Sequence, residues 1–295
     1  MAKEGEARAD APADGLPRLL EIVRRLRDPE AGCPWDVAQD FASIAPYAIE
    51  EAYEVEDAIA RGAWNELEGE LGDLLLQTVY HALMGEEAGL FNFDSVANAV
   101  ADKMVARHPH VFGDEPNDDG SDERLDRAWE AAKAAEREAM ALDGALDGVA
   151  LALPALTRAV KLQKRAAREG FDWPDTAQVV DKVAEEAREL NDARERLSRE
   201  KVAEEFGDLL FVLANLARHM GVDPEAALRG ANAKFERRFA LVEAKLSEMG
   251  KRPRESDLEE MDALWDKAKA EEREEKSDTR RKSSPPRRPG AAPAR

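Results

Sequence analysis

The apolar positions of this chain recur at helical spacing almost throughout. Leu16, Leu19, Leu20, Val23 and Leu26 fall three and four residues apart, which puts them on one face of a helix over 16–27. Pro29, Gly32 and Pro34 interrupt that stripe. The same periodicity predicts helices over 43–61, 64–87 and 95–107, the last stopped by His108-Pro109. A polar loop at 113–123 and a charged helix over 123–141 come next. A second series is predicted at 153–168, 177–196, 201–220, 224–249 and 258–275, with a break at Gly170-Phe-Asp-Trp-Pro174. Pro224 falls in a first helical turn, where its missing N–H costs nothing. No segment alternates as a strand does, so an all-α fold is expected.

The two series are copies. Glu50, Glu51, Glu54, Asp57, Glu70 and Asp73 each have an acid 135 positions later, at Glu185, Glu186, Glu189, Asp192, Glu205 and Asp208. Acids number 63 in 295 residues. A six-position match at one offset therefore has chance odds on the order of one in ten thousand, or roughly 2% over all offsets. Gly72, Leu74 and Leu75 also recur as Gly207, Leu209 and Leu210, and Leu16-Pro17 recurs as Leu153-Pro154. The chain is a duplication. Its expected organisation is a disordered N-terminus (1–14), a first helical domain (15–113), a linker with a charged helix (114–150), a second helical domain (151–275) and a disordered basic tail (276–295).

Charge narrows the chemistry. A net charge of −20 does not suit stable nucleic-acid binding, which needs a basic footprint. The single cysteine, Cys33, allows neither an internal disulfide nor a Cys/His zinc site. No apolar run approaches the ~20 residues of a membrane span. The N-terminus lacks the apolar stretch of a signal peptide, so a cytoplasmic location is expected.

In the second copy, Glu186 and Glu189 share one side of a helix, and Glu205 and Asp208 share one side of the next. The short connection predicts antiparallel packing, which can bring the two acidic patches face to face. Asp208 is expected beside a buried stripe made by Phe206, Leu209, Leu210, Phe211, Leu213 and Leu216, where an uncompensated charge is costly. A hard divalent cation answers that repulsion, and with no His in the cluster zinc and iron are disfavoured. Glu51, Glu54, Glu70 and Asp73 make the equivalent second metal site. The acids alone argue only for a cation.

Basic residues extend the reading to phosphate. Lys182 lies one turn before Glu186 on the same face. Lys234, Arg237 and Arg238 cluster on a later helix, and Arg grips phosphate in a fork. In the first copy Tyr47 replaces Lys182, and the cluster shrinks to Lys103 and Arg107. Glu185 is the first choice for accepting a proton from water, with Glu186 the second acid at the reaction centre. Trp265, flanked by Met261 and Leu264, reads as core on its own pattern. Trp35 and Trp173 read as packing plugs. Two readings stay open here: a triphosphate-splitting enzyme, or a helical module that binds Mg²⁺ and nucleotide without turnover.

Over residues 16–270 the chain resembles the two-copy MazG family of the all-α NTP pyrophosphatase superfamily. The resemblance rests on Glu50-Glu51-Ala-Tyr-Glu54 with Glu70-Leu-Gly-Asp73, and on Glu185-Glu186-Ala-Arg-Glu189 with Glu205-Phe-Gly-Asp208. Gly32-Cys-Pro-Trp-Asp36, His108-Pro-His-Val-Phe112, Gly170-Phe-Asp-Trp173 and Lys234-Phe-Glu-Arg-Arg238 follow in family order. It implies tandem four-helix-bundle-type units completed by a homodimer, and Mg²⁺-dependent conversion of a broad class of (d)NTPs to NMP and diphosphate, for house-cleaning of the nucleotide pool. The second copy would be catalytic. Glu186, Glu189, Glu205 and Asp208 would hold metal. Lys182, Glu185, Glu186, Lys201, Glu204, Lys234, Arg237, Arg238 and Trp265 would bind nucleotide.

Overall fold

The computed structural model describes residues 15–113, 129, 144–196 and 198–283. The termini expected to be disordered (1–14, and the tail beyond 283) and the charged helix expected over 123–141, apart from Trp129, lie outside these residues. Among the described residues every regular element is helical, as the periodicity predicts. The chain divides into two compact units, Met1–Glu136 and Arg137–Arg295.

The first unit holds α1 (Gly15–Leu26), α2 (Pro34–Val37), α3 (Phe41–Arg61), α4 (Trp64–Glu87), α5 (Phe93–Arg107) and α6 (Pro109–Phe112). Helices α3 and α5 begin two residues before the serines that seemed to start them. Ser43 and Ser95 are not caps but the reciprocal halves of capping boxes. Asp40 accepts from the Ser43 N–H at 2.8 Å while the Asp40 N–H reaches Ser43 Oγ at 2.9 Å, and Asn92 and Ser95 repeat the arrangement. Gly62 ends α3 at φ +68°, a left-handed position, and the Ala63 N–H closes onto Ala58 O at 2.9 Å. This tight cap turns the chain directly into α4, so α3 and α4 pack along their length as a hairpin. Helices α1 and α5 also lie on α4. Val23, Ile44, Val79, Tyr80 and Met84 form the core between them.

Arg27 staples the break after α1. Its guanidinium donates to Asp36 O at 2.6 Å and to Gln39 O at 3.1 Å, pairs with Glu87, and lies over the Tyr80 ring. Trp35 does not plug this break: it is 54% exposed and meets Tyr47 only edge-on.

The second unit holds α7 (Ala155–Arg168), α8 (Thr176–Arg196), α9 (Arg199–His219), α10 (Pro224–Glu248) and α11 (Leu258–Ser283). Ser198 caps α9, and α8 and α9 repeat the hairpin of α3 and α4. Helix α7 packs on α9, and α10 on α11. Asp172 ties the break before α8 to the end of α9 through Arg218 and His219. Here the tryptophan after the break, Trp173, is half-buried. Helix α11 runs eight residues beyond its predicted end at Glu275. The added residues are charged but compatible with a helix, and the next prolines come only at Pro285 and Pro286.

Leu246 is fully buried with Val242 and Leu264, against Met261 and Trp265. Truncating Leu246→Ala should therefore cost about 2–5 kcal/mol. Urea unfolding of the full chain should show the loss; an unchanged midpoint would mean that this core does not hold α10 to α11.

Candidate metal and nucleotide site

The hairpins do what the repeated acids predict. In the second unit, α8 supplies Glu186 and α9 supplies Glu205 and Asp208. One carboxylate oxygen from each lies within 4.8 Å of the other two. In the first unit Glu51, Glu70 and Asp73 form the matching group. Glu186 and Glu205 are buried, at 7% and 9% exposure, while Asp208 is open to solvent. Glu189 and Glu54 stand outside these tight triads as exposed side chains. Glu54 nonetheless interacts with both Glu51 and Glu70. Two buried carboxylates beside an open third, with no histidine among them, make an oxygen-only donor set. That set fits a hard cation such as Mg²⁺.

The stripe expected beside Asp208 is only partly inside: Leu209 and Leu216 are half-buried, and its other members face outward. Phe206 is 52% exposed, and Leu210, Phe211 and Leu213 are exposed as well. Helix α9 turns Val212, Ala214 and Asn215 inward, so the larger apolar side chains are left on the solvent side of the chain.

Two lysines neutralise the second cluster. Lys182 Nζ lies 2.9 Å from Glu185 Oε1 and 2.8 Å from Glu186 Oε1. Lys201 Nζ lies 2.8 Å from Glu204 and 3.0 Å from Glu205. Both ammoniums are held above lysine's ordinary value, Lys182 chiefly by its hydrogen bond to Glu186 and Lys201 chiefly by that to Glu204. The first copy has Tyr47 and Glu66 at these positions. Its carboxyls are shifted by burial and by one another. Glu51 is raised by desolvation and then by Asp73 and Glu54, and Glu70 by desolvation and then by Glu54 and Asp73.

The other basic residues gather elsewhere. Arg238 donates from Nε to Glu272 at 2.9 Å, and Arg237 approaches the same carboxylate at 3.9 Å. The Arg238 guanidinium lies 5.7 Å over Trp265, whose ring centroid is 5.2 Å from that of Phe235. Lys234 is exposed on the same helix. The acids with Lys182 and Lys201 thus form one group on α8 and α9, and the arginines with Trp265 form another on α10 and α11. Trp265 is both core and platform: it packs on Val242, Leu246 and Leu264 while carrying Arg238.

Two participants escaped the sequence. Glu272 sits in a uniformly charged run. Its one signal was the seven-residue step from Trp265, two turns on the same face. Trp129 lies under Arg107 at 4.5 Å, with His108 edge-on at 5.5 Å. This repeats the Arg238–Trp265 pair, but the offsets are 131 and 136 rather than 135, so a constant-offset comparison misses it.

Because the folded first unit binds the Glu51 and Glu70 protons more tightly than the unfolded chain does, their contribution favours folding below the ordinary value of 4.5. It is lost as the pH rises through the raised values. Glu70→Gln should leave the melting midpoint unchanged in acid and raise it at neutral pH. Scanning calorimetry checks this, and a variant no more stable than the parent at neutral pH would contradict the repulsion.

The comparisons with known proteins agree with this geometry. Residues 39–112 match the MazG nucleotide pyrophosphohydrolase domain, and residues 153–235 match the phosphoribosyl-ATP pyrophosphohydrolase family. The nucleoside triphosphate pyrophosphohydrolase of Escherichia coli K12 is 51% identical over 259 residues, covering 87% of this chain and 98% of that protein. The nucleoside triphosphate pyrophosphohydrolase/pyrophosphatase MazG of Thermotoga maritima is 40% identical, covering 85% of this chain and 94% of that protein. Between the two readings left open by the residues, the enzyme prevails over the non-catalytic module. The chain belongs to the MazG family and is a nucleoside triphosphate pyrophosphohydrolase.

Proposed function

We propose that the second unit carries the reaction with Mg²⁺ on Glu186, Glu205 and Asp208, aided by Glu189, and that it accepts a broad class of (d)NTPs. The observation supporting this assignment is the pair of lysines, Lys182 and Lys201, seated on the second acid cluster and missing from the first. The bound ion would offset phosphate charge and lower the pKa of a coordinated water.

The remaining work belongs to the chain. A triphosphate entering the cluster competes for Lys182 and Lys201, which can exchange a carboxylate oxygen for a phosphate oxygen without leaving their helices. Lys234, Arg237 and Arg238 meet the outer phosphates, and Trp265 offers its face to the base. Water attacks the α-phosphorus, the bond to the bridging oxygen of the β-phosphate breaks, and the water's proton passes to Glu185. Glu185 is exposed one residue from buried Glu186 and hydrogen-bonded to Lys182. The products are NMP and diphosphate. This chemistry suits clearance of unwanted nucleotides from the cytoplasm.

The first unit keeps an acid triad and an Arg107–Trp129 pair but lacks the lysines, which supports a weaker or regulatory role. The domain limits follow the repeat, 15–113 and 151–275, with 114–150 between. The outward stripe of Phe206, Leu210 and Leu213, at i, i+4 and i+7 on α9, supports a homodimer in which a second chain covers that face.

Glu186→Gln should lower NTP turnover by at least about 100-fold, since even the outer partners of a metal site are worth 10–100-fold. Glu51→Gln should cost far less. Measuring NMP and diphosphate release with Mg²⁺ decides this; equal losses would refute assignment of catalysis to the second unit. For the dimer, light scattering on the intact protein should give twice the chain mass. Phe206→Glu with Leu210→Glu should halve it, and a monomeric parent would end that reading.

A further inference from the structure

The second unit has a second concave surface remote from its acids. Helix α7 places Thr157, Val160, Lys161 and Lys164 at i, i+3, i+4 and i+7, along one face. Opposite them, two residues beyond the end of α9, Gly221 with a φ of +67° turns the chain through Val222 and Asp223 into α10. The cavity between has a volume of about 390 Å³. That is within the range of small-ligand sites. Arg218 on its wall is thirteen residues from Glu205 along α9, so about 20 Å separates this cleft from the acid cluster.

Its charge is opposite to that of the protein. Lys161, Lys164 and Arg218 line it with one carboxylate, Asp223, in a chain of net charge −20, and of the three cations Arg218 is already ion-paired with Asp172. Asp223 is already engaged: its Oδ1 accepts from the Ala226 N–H at 3.1 Å and caps α10. Arg218 is oriented by Asn215 and Asp172. Among the described residues, Lys161 and Lys164 have neither an ion pair nor a hydrogen bond from their ammoniums. Two like charges one turn apart repel. With acids in large excess over bases, leaving this pair unanswered beside an arginine is a cost that an anion would remove. The floor, Val160, Val222 and Pro224, is apolar and would favour a ligand with a flat or apolar body.

We propose that this cleft binds an organic phosphate of about nucleoside monophosphate size, its phosphate on Lys161, Lys164 and Arg218 and its ring on the Val160–Val222 floor. The choice of a nucleotide as the organic part rests on the pyrophosphohydrolase reading, since NMP is the product of that reaction. The cationic cleft does not depend on it. The site would sense product without overlapping the metal cluster.

The test titrates the full chain, with EDTA present to remove divalent ions, with AMP, inorganic phosphate or adenosine. Calorimetry reads affinity, and amide chemical shifts at Gly221 and Val222 read location. AMP should bind, phosphate about tenfold more weakly, and adenosine not measurably. Lys161→Ala with Lys164→Ala should weaken AMP at least about tenfold and abolish those shifts, while Glu186→Gln should leave both intact. Absence of AMP binding, binding indifferent to the lysines, or binding lost in Glu186→Gln would overturn the site. Phosphate binding as tightly as AMP would overturn the nucleotide assignment. Turnover of Glu186→Gln, measured separately, reports on the catalytic reading alone.

Discussion

Everything distinctive about this protein depends on carboxylates that two helices force together. Glu186, Glu205 and Asp208 bring oxygens within 4.8 Å of one another, and two of the three side chains are buried. Two like unit charges 4 Å apart repel by about 4 kcal/mol at an effective dielectric of about 20. Helices α8 and α9 cannot relieve this by sliding, because Ser198 caps α9 immediately after α8 ends and the hairpin packs along its length. The repulsion must be met by charge from outside the triad. Lysine supplies it within the chain, and a divalent cation is what the same oxygens are suited to hold.

The duplication makes that constraint visible. The two hairpins share their acids but not their countercharges. Where Lys182 and Lys201 sit on the second cluster, the first has Tyr47 and Glu66, and its Glu51 and Glu70 are raised first by desolvation and then by the neighbouring acids. One fold thus carries two versions of one site. The second has its acids paired with two ammonium groups, and the first has its acids without them. The Arg–Trp platform persists in both, at 4.5 Å for Arg107 and Trp129 and 5.7 Å for Arg238 and Trp265. Divergence between the copies therefore lies in the lysines on the acids more than in the platform.

Burial also distinguishes the hairpins from a self-sufficient bundle. Helix α9 turns small or polar Ala214 and Asn215 inward and leaves Phe206, Leu210, Phe211 and Leu213 exposed. In α3, Ile49 and Tyr53 are similarly exposed. Apolar residues at helical spacing, set outward beside the acids, connect the stability of the hairpin to the site it carries.

The sequence by itself determined the helices, the duplication and three of the four acids expected to meet in each copy. All three follow from local spacing: 3.6-residue periodicity, a constant 135-residue offset, and i,i+3 or i,i+4 placement on a helix. It also placed Lys182 beside Glu186, because a one-turn separation is local too. Tertiary structure alone decided the rest. Which face of α9 is buried depends on what packs against it, so Phe206, Leu210, Phe211 and Leu213, expected inside, lie outside. Helix α3 starts at Phe41 and not Ser43, because cap and N3 residues differ only in which group donates to which. Glu272 and Trp129 joined their arginines through contacts between elements with no fixed sequence offset. Local patterns carry the periodic part of a structure, and the pairing of faces across elements is settled only when they pack.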